Sequence, residues 1–379
     1  MSKDYLLGID IGTSACKVAI FNKNGKVMAS ANGDYPVYYP HEGWAQQKPD
    51  EWWHAVCGAI CECLETGNIS GEQIAGVGID GQSWSAIAID HEGNVLTDTP
   101  IWMDTRAQEI CDRLNNEIGS ENIFNVAGNS LQPSYTTAKI LWYKENMPEV
   151  YNKIYKILQS NSFIAYRLTG AITQDLSQGY GLHCFDMRTG TWDEVMCEKM
   201  GIPVDFLPEI VACDKVVGTV TEEAATQSGL TVGTPVVAGG LDAACGTLGA
   251  GVIHPGETQE QGGQAGGMSI CTDTYKADPS LILGYHVVPG KWLLQGGTTG
   301  GGGVMRWFER EFAAYERSRK ADTGKSSLEQ LNEIAEQYQP EVKALCSFHI
   351  CPGRDPLSGI HTPKAFSMDL ILLRPRDTW

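Results

Sequence analysis

The chain has 379 residues, enough for two domains that each bury a core of their own. Its 28 Lys and Arg against 46 Asp and Glu leave a formal charge of −18. Such a surface repels nucleic acid and anionic lipid, which argues against both as partners. With 42% hydrophobic and 20% charged residues, a disordered or fibrous protein is excluded as well.

The opening reads as strands and turns. The apolar run over 5–10 predicts a buried strand, Gly12-Thr13-Ser14 a turn and 17–21 a second strand. Asn24-Gly25 marks a hairpin turn before a third strand over 27–31. A helix follows over 49–67, where Trp53, Val56, Cys57, Ile60, Cys61 and Leu64 recur at helical spacing. Pro49 suits its first turn and Gly67 its C-terminal stop. Cys57, Cys61 and Cys63 lie in this run without a second pair of ligands nearby, so they read as core rather than zinc ligands. The eight histidines form no HExxH pattern.

The opening nearly recurs further on, with strands over 74–80 and 86–90, a turn at 92–94 and a third strand beyond. Helices are predicted over 107–118, 137–146 and 162–168, and a strand over 235–242 ends in another acid, Asp242. The least polar stretch, 232–256, holds that acid and many glycines, so it is no spanning helix. The twelve cysteines come with no export signal, and the expectation is a reduced, cytoplasmic protein. Strands and helices mixed in this way predict an α/β fold, with hairpins feeding a mostly parallel sheet.

Three stretches could serve phosphate chemistry. Asp10-Ile11-Gly12-Thr13-Ser14 places a carboxylate at a strand end beside N–H groups and hydroxyls, which suits a phosphate or, through water, Mg²⁺. An ordinary turn around Asp10 reads the same residues equally well. The stretch 239–246 sets Asp242 on a glycine-flanked turn at a helix start. The glycine run 296–303 precedes a predicted helix over 304–312, as a flexible turn at a phosphate or ribose would. Thr323-Gly324-Lys325-Ser326 lacks the upstream glycine of a P-loop, because Arg319 stands there.

Taken in order, GIDIGTS at 8–14, EGWAQQKPDEWW at 42–53, GIDGQSW at 78–84, IWMDTR at 101–106, TTAKILW at 136–142, YRLTG at 166–170 and AGGLDAACG at 238–246 resemble the FGGY carbohydrate kinases, their xylulose kinase branch most of all. The resemblance implies an actin-like, ribonuclease H-like fold of two domains closing over Mg-ATP and a sugar. On that pattern residues 1–250 form the N-terminal domain with the sugar and phosphate site, and 251–379 a partial C-terminal domain on the ATP side. Asp242 matches the family's catalytic base, and Asp10 the acid near Mg²⁺ and the transferred phosphoryl. Gly12, Thr13, Ser14, Gly263, Gly300 and Gly301 match cofactor-side positions, and Gln82, Ser83, Trp84 and Asp104 the sugar side. Asp80 receives no family role, and hydrogen bonding in its own turn is the default. The implied reaction is ATP-dependent phosphorylation of a sugar hydroxyl, a ketopentose such as D-xylulose first.

Two departures touch the sugar side: Ser83-Trp84 stands where Met-His is common, and Ala243 where Asn is common. Another ketose or polyol is therefore an alternative substrate. An inactive sugar- or nucleotide-binding remnant and an ATPase acting on protein partners are the rival classes, and a homodimer stays open. Over 262–267 the hydroxyls of a second phosphate loop are missing. From about residue 351 the tail leaves the family pattern. Back-translated with permitted codons and read two bases later, 352–370 spells GERSPIWDPHAKGVFYGL, the family's own continuation. The expectation is a shifted reading frame that replaces the end of the second domain.

Overall fold

The computed structural model describes residues 3–262, 266–298 and 302–337. Gly263, Gly300, Gly301 and the tail from 351 lie outside the described residues. The chain groups into two units: Met1–Glu257 with Ile270–Leu294, and Thr258–Ser269 with the residues from Gln295 onward. The first unit runs past 250 and takes in 270–294 as well.

The first unit is built on a seven-stranded sheet. Strands β1 (Tyr5–Ile11), β2 (Ala15–Asn22) and β3 (Val27–Asp34) form an antiparallel meander. In β1, Leu7, Ile9 and Ile11 are buried on one face, and the period of two sends Asp10 to the other. Helix α1 (Pro49–Gly67) covers the meander with Trp52, Trp53, Val56, Cys57, Ile60 and Cys63. Gly33 permits its approach, since a Cβ there would stand 2.8 Å from the Ala55 carbonyl oxygen. Gly67 proves to be the last helical residue, and Asn68 takes the left-handed stop at φ 49°. Cys61 is exposed, while burial pushes the thiols of Cys57 and Cys63 up to about 12 and about 11, values for inert core cysteines.

Strand β4 (Ile74–Gly81) lies parallel to β1, with Asp10 directly opposite Asp80. Helices α2 (Thr136–Asn146) and α3 (Ser160–Thr169) follow. Strand β5 (Val216–Thr219) pairs antiparallel with β6 (Pro235–Val237), which runs parallel to β4. The short β7 (Gly240–Leu241) also pairs with β4, placing Gly240 opposite Asp80, and α4 (Asp242–Gly249) starts at once. The sheet order is β5-β6-β4-β1-β2-β3. Its parallel centre therefore collects three strand C-termini, each next to an acid, at one edge.

Local differences from the sequence reading have physical causes. The near repeat breaks after its second strand, because 95 makes a single bridge to Ile89 and Ile87–Ile89 pairs with Lys156–Leu158 instead. The predicted helix over 107–118 passes from Gln108–Leu114 into a π turn at Asn115–Gly119. Gly296 and Gly297 belong to a strand, Trp292–Thr298, rather than to a turn, and the next helix is Gly302–Phe312. In the second unit Gly324 ends one helix at φ 68°, and Ser326 caps Ser327–Ala335 in a box with Glu329. Those residues connect two helices and form no phosphate loop.

Candidate active site

Three acids meet where β1, β4 and β7 end. The register places Asp10 beside Asp80, and Asp242 opens α4 two residues after Gly240. Gly239 makes this junction: it sits at φ 74°, and a Cβ on it would fall 1.8 Å from the Ile79 carbonyl oxygen. Lys17 Nζ lies 2.7 Å from Asp10 Oδ2 and also feels the charges of Asp80 and Asp242. One ammonium thus pairs with one carboxylate and is felt by two more. Desolvation, then the charges of Asp10 and Asp242, push Asp80 up to about 9. Desolvation also pushes Asp242 up to about 7, against the N–H of Ala243, which donates to its Oδ1 at 2.6 Å. A carboxylate held near neutrality is suited to taking a proton.

The turn beside Asp10 is held from outside. The Tyr35 hydroxyl donates to the Gly12 carbonyl at 2.7 Å, Gln47 Nε2 to that of Thr13 at 2.8 Å, and Trp102 Nε1 to the Thr13 hydroxyl at 3.0 Å. Ser14 is exposed. Gln82 follows β4, fully buried, with Nε2 donating to Gln47 Oε1 at 2.8 Å and its own Oε1 unpartnered.

Ser83 and Trp84 are partly exposed. Trp84 takes φ 63°, a left-handed backbone that strains a bulky residue by about 1–3 kcal/mol. Its conformation is enforced from both sides. The Trp84 N–H donates to Gln159 Oε1 at 3.0 Å, and its carbonyl accepts from Lys139 Nζ at 2.7 Å. The same buried ammonium donates to the carbonyls of Ile101 at 2.8 Å and Ser134 at 2.6 Å. Burial pulls Lys139 down to about 7. The Trp84 ring stacks on Tyr135 at 4.1 Å and meets the edge of Tyr180 at 5.8 Å.

Asp104, expected on the sugar side, has no exposed surface, and both its oxygens are engaged. It accepts from the Ala45 N–H at 2.7 Å and pairs with Arg106, whose guanidinium stacks over Trp44 at 3.8 Å. Through these bonds Asp104 ties two loops together. Sequence reading missed Asp80, Lys17, Lys139 and Gln159 as parts of the site. Asp80 could have been found by aligning the two strand ends, but the partners of Lys139 are backbone carbonyls, which leave no residue pattern. Among the described residues no group of three or more His, Cys, Asp or Glu is arranged to hold a metal. No helix there is long and apolar enough to cross a membrane.

Residues 5–249 match the N-terminal domain of the FGGY family of carbohydrate kinases, and the chain belongs to that family. It is 30% identical over 314 residues to a xylulose kinase of Bacillus subtilis (strain 168), covering 82% of this chain and 63% of that one. A gluconokinase of Bacillus licheniformis is 27% identical over 365 residues, covering 96% of this chain and 71% of the relative. The crystal structure of xylulose kinase from Rhodospirillum rubrum superposes with a TM-score of 0.80 at 27% identity, covering 89% of this chain and 67% of that one. The fold is thus the two-domain, actin-like α/β fold of these kinases. The chain spans less than two thirds of the length of the Bacillus subtilis xylulose kinase.

Proposed function

We propose that this chain transfers the γ-phosphoryl group of ATP to a sugar hydroxyl, with D-xylulose as first substrate. The observation that carries the reading is Asp242 at the end of the parallel strands, held up to about 7 beside Asp10 and Asp80. Its carboxylate takes the proton of the sugar hydroxyl while that oxygen bonds to phosphorus and the bond to the β-phosphate oxygen breaks. Gly12, Thr13 and Ser14 lie along the phosphates, with Thr13 fixed by Trp102. Gln82, Ser83 and Trp84 form the sugar side, where the unpartnered Gln82 Oε1 is an acceptor for a sugar hydroxyl.

The residues present fit Mg²⁺ arriving with ATP. Asp10 and Asp80 are hard oxygen donors; burial first, and then the charges of Asp10 and Asp242, disfavour a bare carboxylate at Asp80, and a cation there would offset that charge. Asp10 would hold the ion with water completing its shell, and there it would offset charge on the transferred phosphoryl. Gluconate is the second reading, favoured by the gluconokinase relative that covers most of this chain. The test supplies Mg-ATP with D-xylulose or D-gluconate and follows the sugar by mass spectrometry. A sugar that gains one phosphoryl group supports the reading. ATP hydrolysis without phosphorylated sugar points to the ATPase alternative, and no turnover at all to the remnant.

A further inference from the structure

We propose that Asp175 and Ser177 are positioning residues for Asp242, acting through the backbone of the turn that presents it; the inference rests on the kinase reading only for its effect on rate. Both side chains are buried, 1% and 0% exposed. Ser177 Oγ donates to Asp175 Oδ1 at 2.6 Å and accepts the Leu241 N–H at 2.9 Å, one residue before Asp242. The other carboxylate oxygen, Oδ2, accepts Asn161 Nδ2 at 2.8 Å, and that amide also donates to the Ala238 carbonyl at 3.2 Å. One buried carboxylate therefore tethers both ends of the turn 238–241.

The same acid reaches the neighbouring strand. Asp175 Oδ1 accepts the Gln178 N–H at 3.0 Å, and Gln178 Nε2 donates to the Gly81 carbonyl at 3.0 Å, just beyond Asp80. The turn needs such tethers because its hinge, Gly239, is a left-handed glycine. Gly240 leaves no slack beside it, since a Cβ there would lie 2.8 Å from Ser177 Oγ. A relay of buried, hydrogen-bonded polar groups rigidifies what it holds. Displacing a reacting group by about 1 Å costs on the order of a hundredfold in rate.

Ser177→Ala in the full chain removes the tether with little change in volume. Hydrogen exchange followed by mass spectrometry should show the 238–245 segment exchanging about tenfold faster, with β1 and β4 as protected as in wild type. Sugar phosphorylation should lose about tenfold to a hundredfold in kcat with KM within twofold. A general loss of structure would instead expose β1 and β4 together with the turn. Unchanged exchange over 238–245, or a kcat within twofold of wild type, overturns the proposal. If the wild-type chain phosphorylates no sugar, the kinase reading fails separately, and the exchange result alone decides whether Asp175 and Ser177 hold the turn.

Discussion

The two sides of the site are built on opposite electrostatic plans. On the acid side, Lys17 pairs with Asp10 alone and feels Asp80 and Asp242 at longer range, and those two acids are pushed well above the usual carboxylate range. On the Trp84 side, the one ammonium, Lys139, has three carbonyl acceptors within 2.8 Å, and the strained Trp84 backbone is bonded on both its N–H and its C=O. The acid side buries carboxyl groups whose charge is disfavoured by desolvation first and by one another second, and a cation can offset that charge. The aromatic side spends hydrogen bonds to keep one shape. Chemistry needs charge that changes during the reaction, whereas recognition needs a surface that does not move.

The largest expected effect breaks the acid side alone. Asp242→Asn should lower sugar phosphorylation by about 10²–10⁴, while sugar affinity by calorimetry stays near wild type. Loss of affinity equal to the loss of rate would place Asp242 in binding instead. On the other side, Lys139→Met leaves one buried and two part-buried carbonyls without this donor, at up to about 1–3 kcal/mol each, less what is recovered by no longer burying an ammonium. A fall on the order of 10 °C in melting temperature is expected, and a change under 2 °C by the same scale would contradict the role given to Lys139.

Trp84→Ala keeps the left-handed backbone problem but removes the stacked ring. Sugar affinity should weaken by about tenfold, in line with the loss of one aromatic contact, with ATP affinity unchanged. If unfolding is the main result, Trp84 belongs to the core instead. Asp80→Asn should do the reverse of most site mutations and stabilise the chain. Its folded carboxyl is raised above the unfolded value, so the native state binds more protons and stability is lost as pH rises from about 4 through about 9. The variant should therefore melt higher than wild type at pH 8, by about 2–4 °C for each kcal/mol relieved, and near wild type at pH 4. Equal melting at both values would remove the repulsion.

Much of the acid side was legible in the sequence, because its parts are strand ends. Alternation in 5–11 and 74–81 fixes which faces Asp10 and Asp80 occupy, and the glycines around Asp242 announce a tight turn. What stayed hidden was their meeting, since register between strands about seventy residues apart is a tertiary fact. The aromatic side was legible only in outline. Nothing in local pattern says that Lys139 ends on three carbonyls, or that Gln159 holds Trp84 at φ 63°. The partners of Asp104, the Ala45 N–H and Arg106, were hidden for the same reason.

The most direct test of Asp242 as a base tuned by its burial is the pH dependence of kcat/KM for sugar phosphorylation. That ratio reports the ionisation of the free enzyme, and a base must be unprotonated to act. The acid limb should therefore fall below a midpoint near pH 7, the value to which Asp242 is pushed, and should be absent from the residual activity of Asp242→Asn. A limb near pH 4, where an ordinary carboxylate titrates, or one that survives unchanged in the variant, would contradict it.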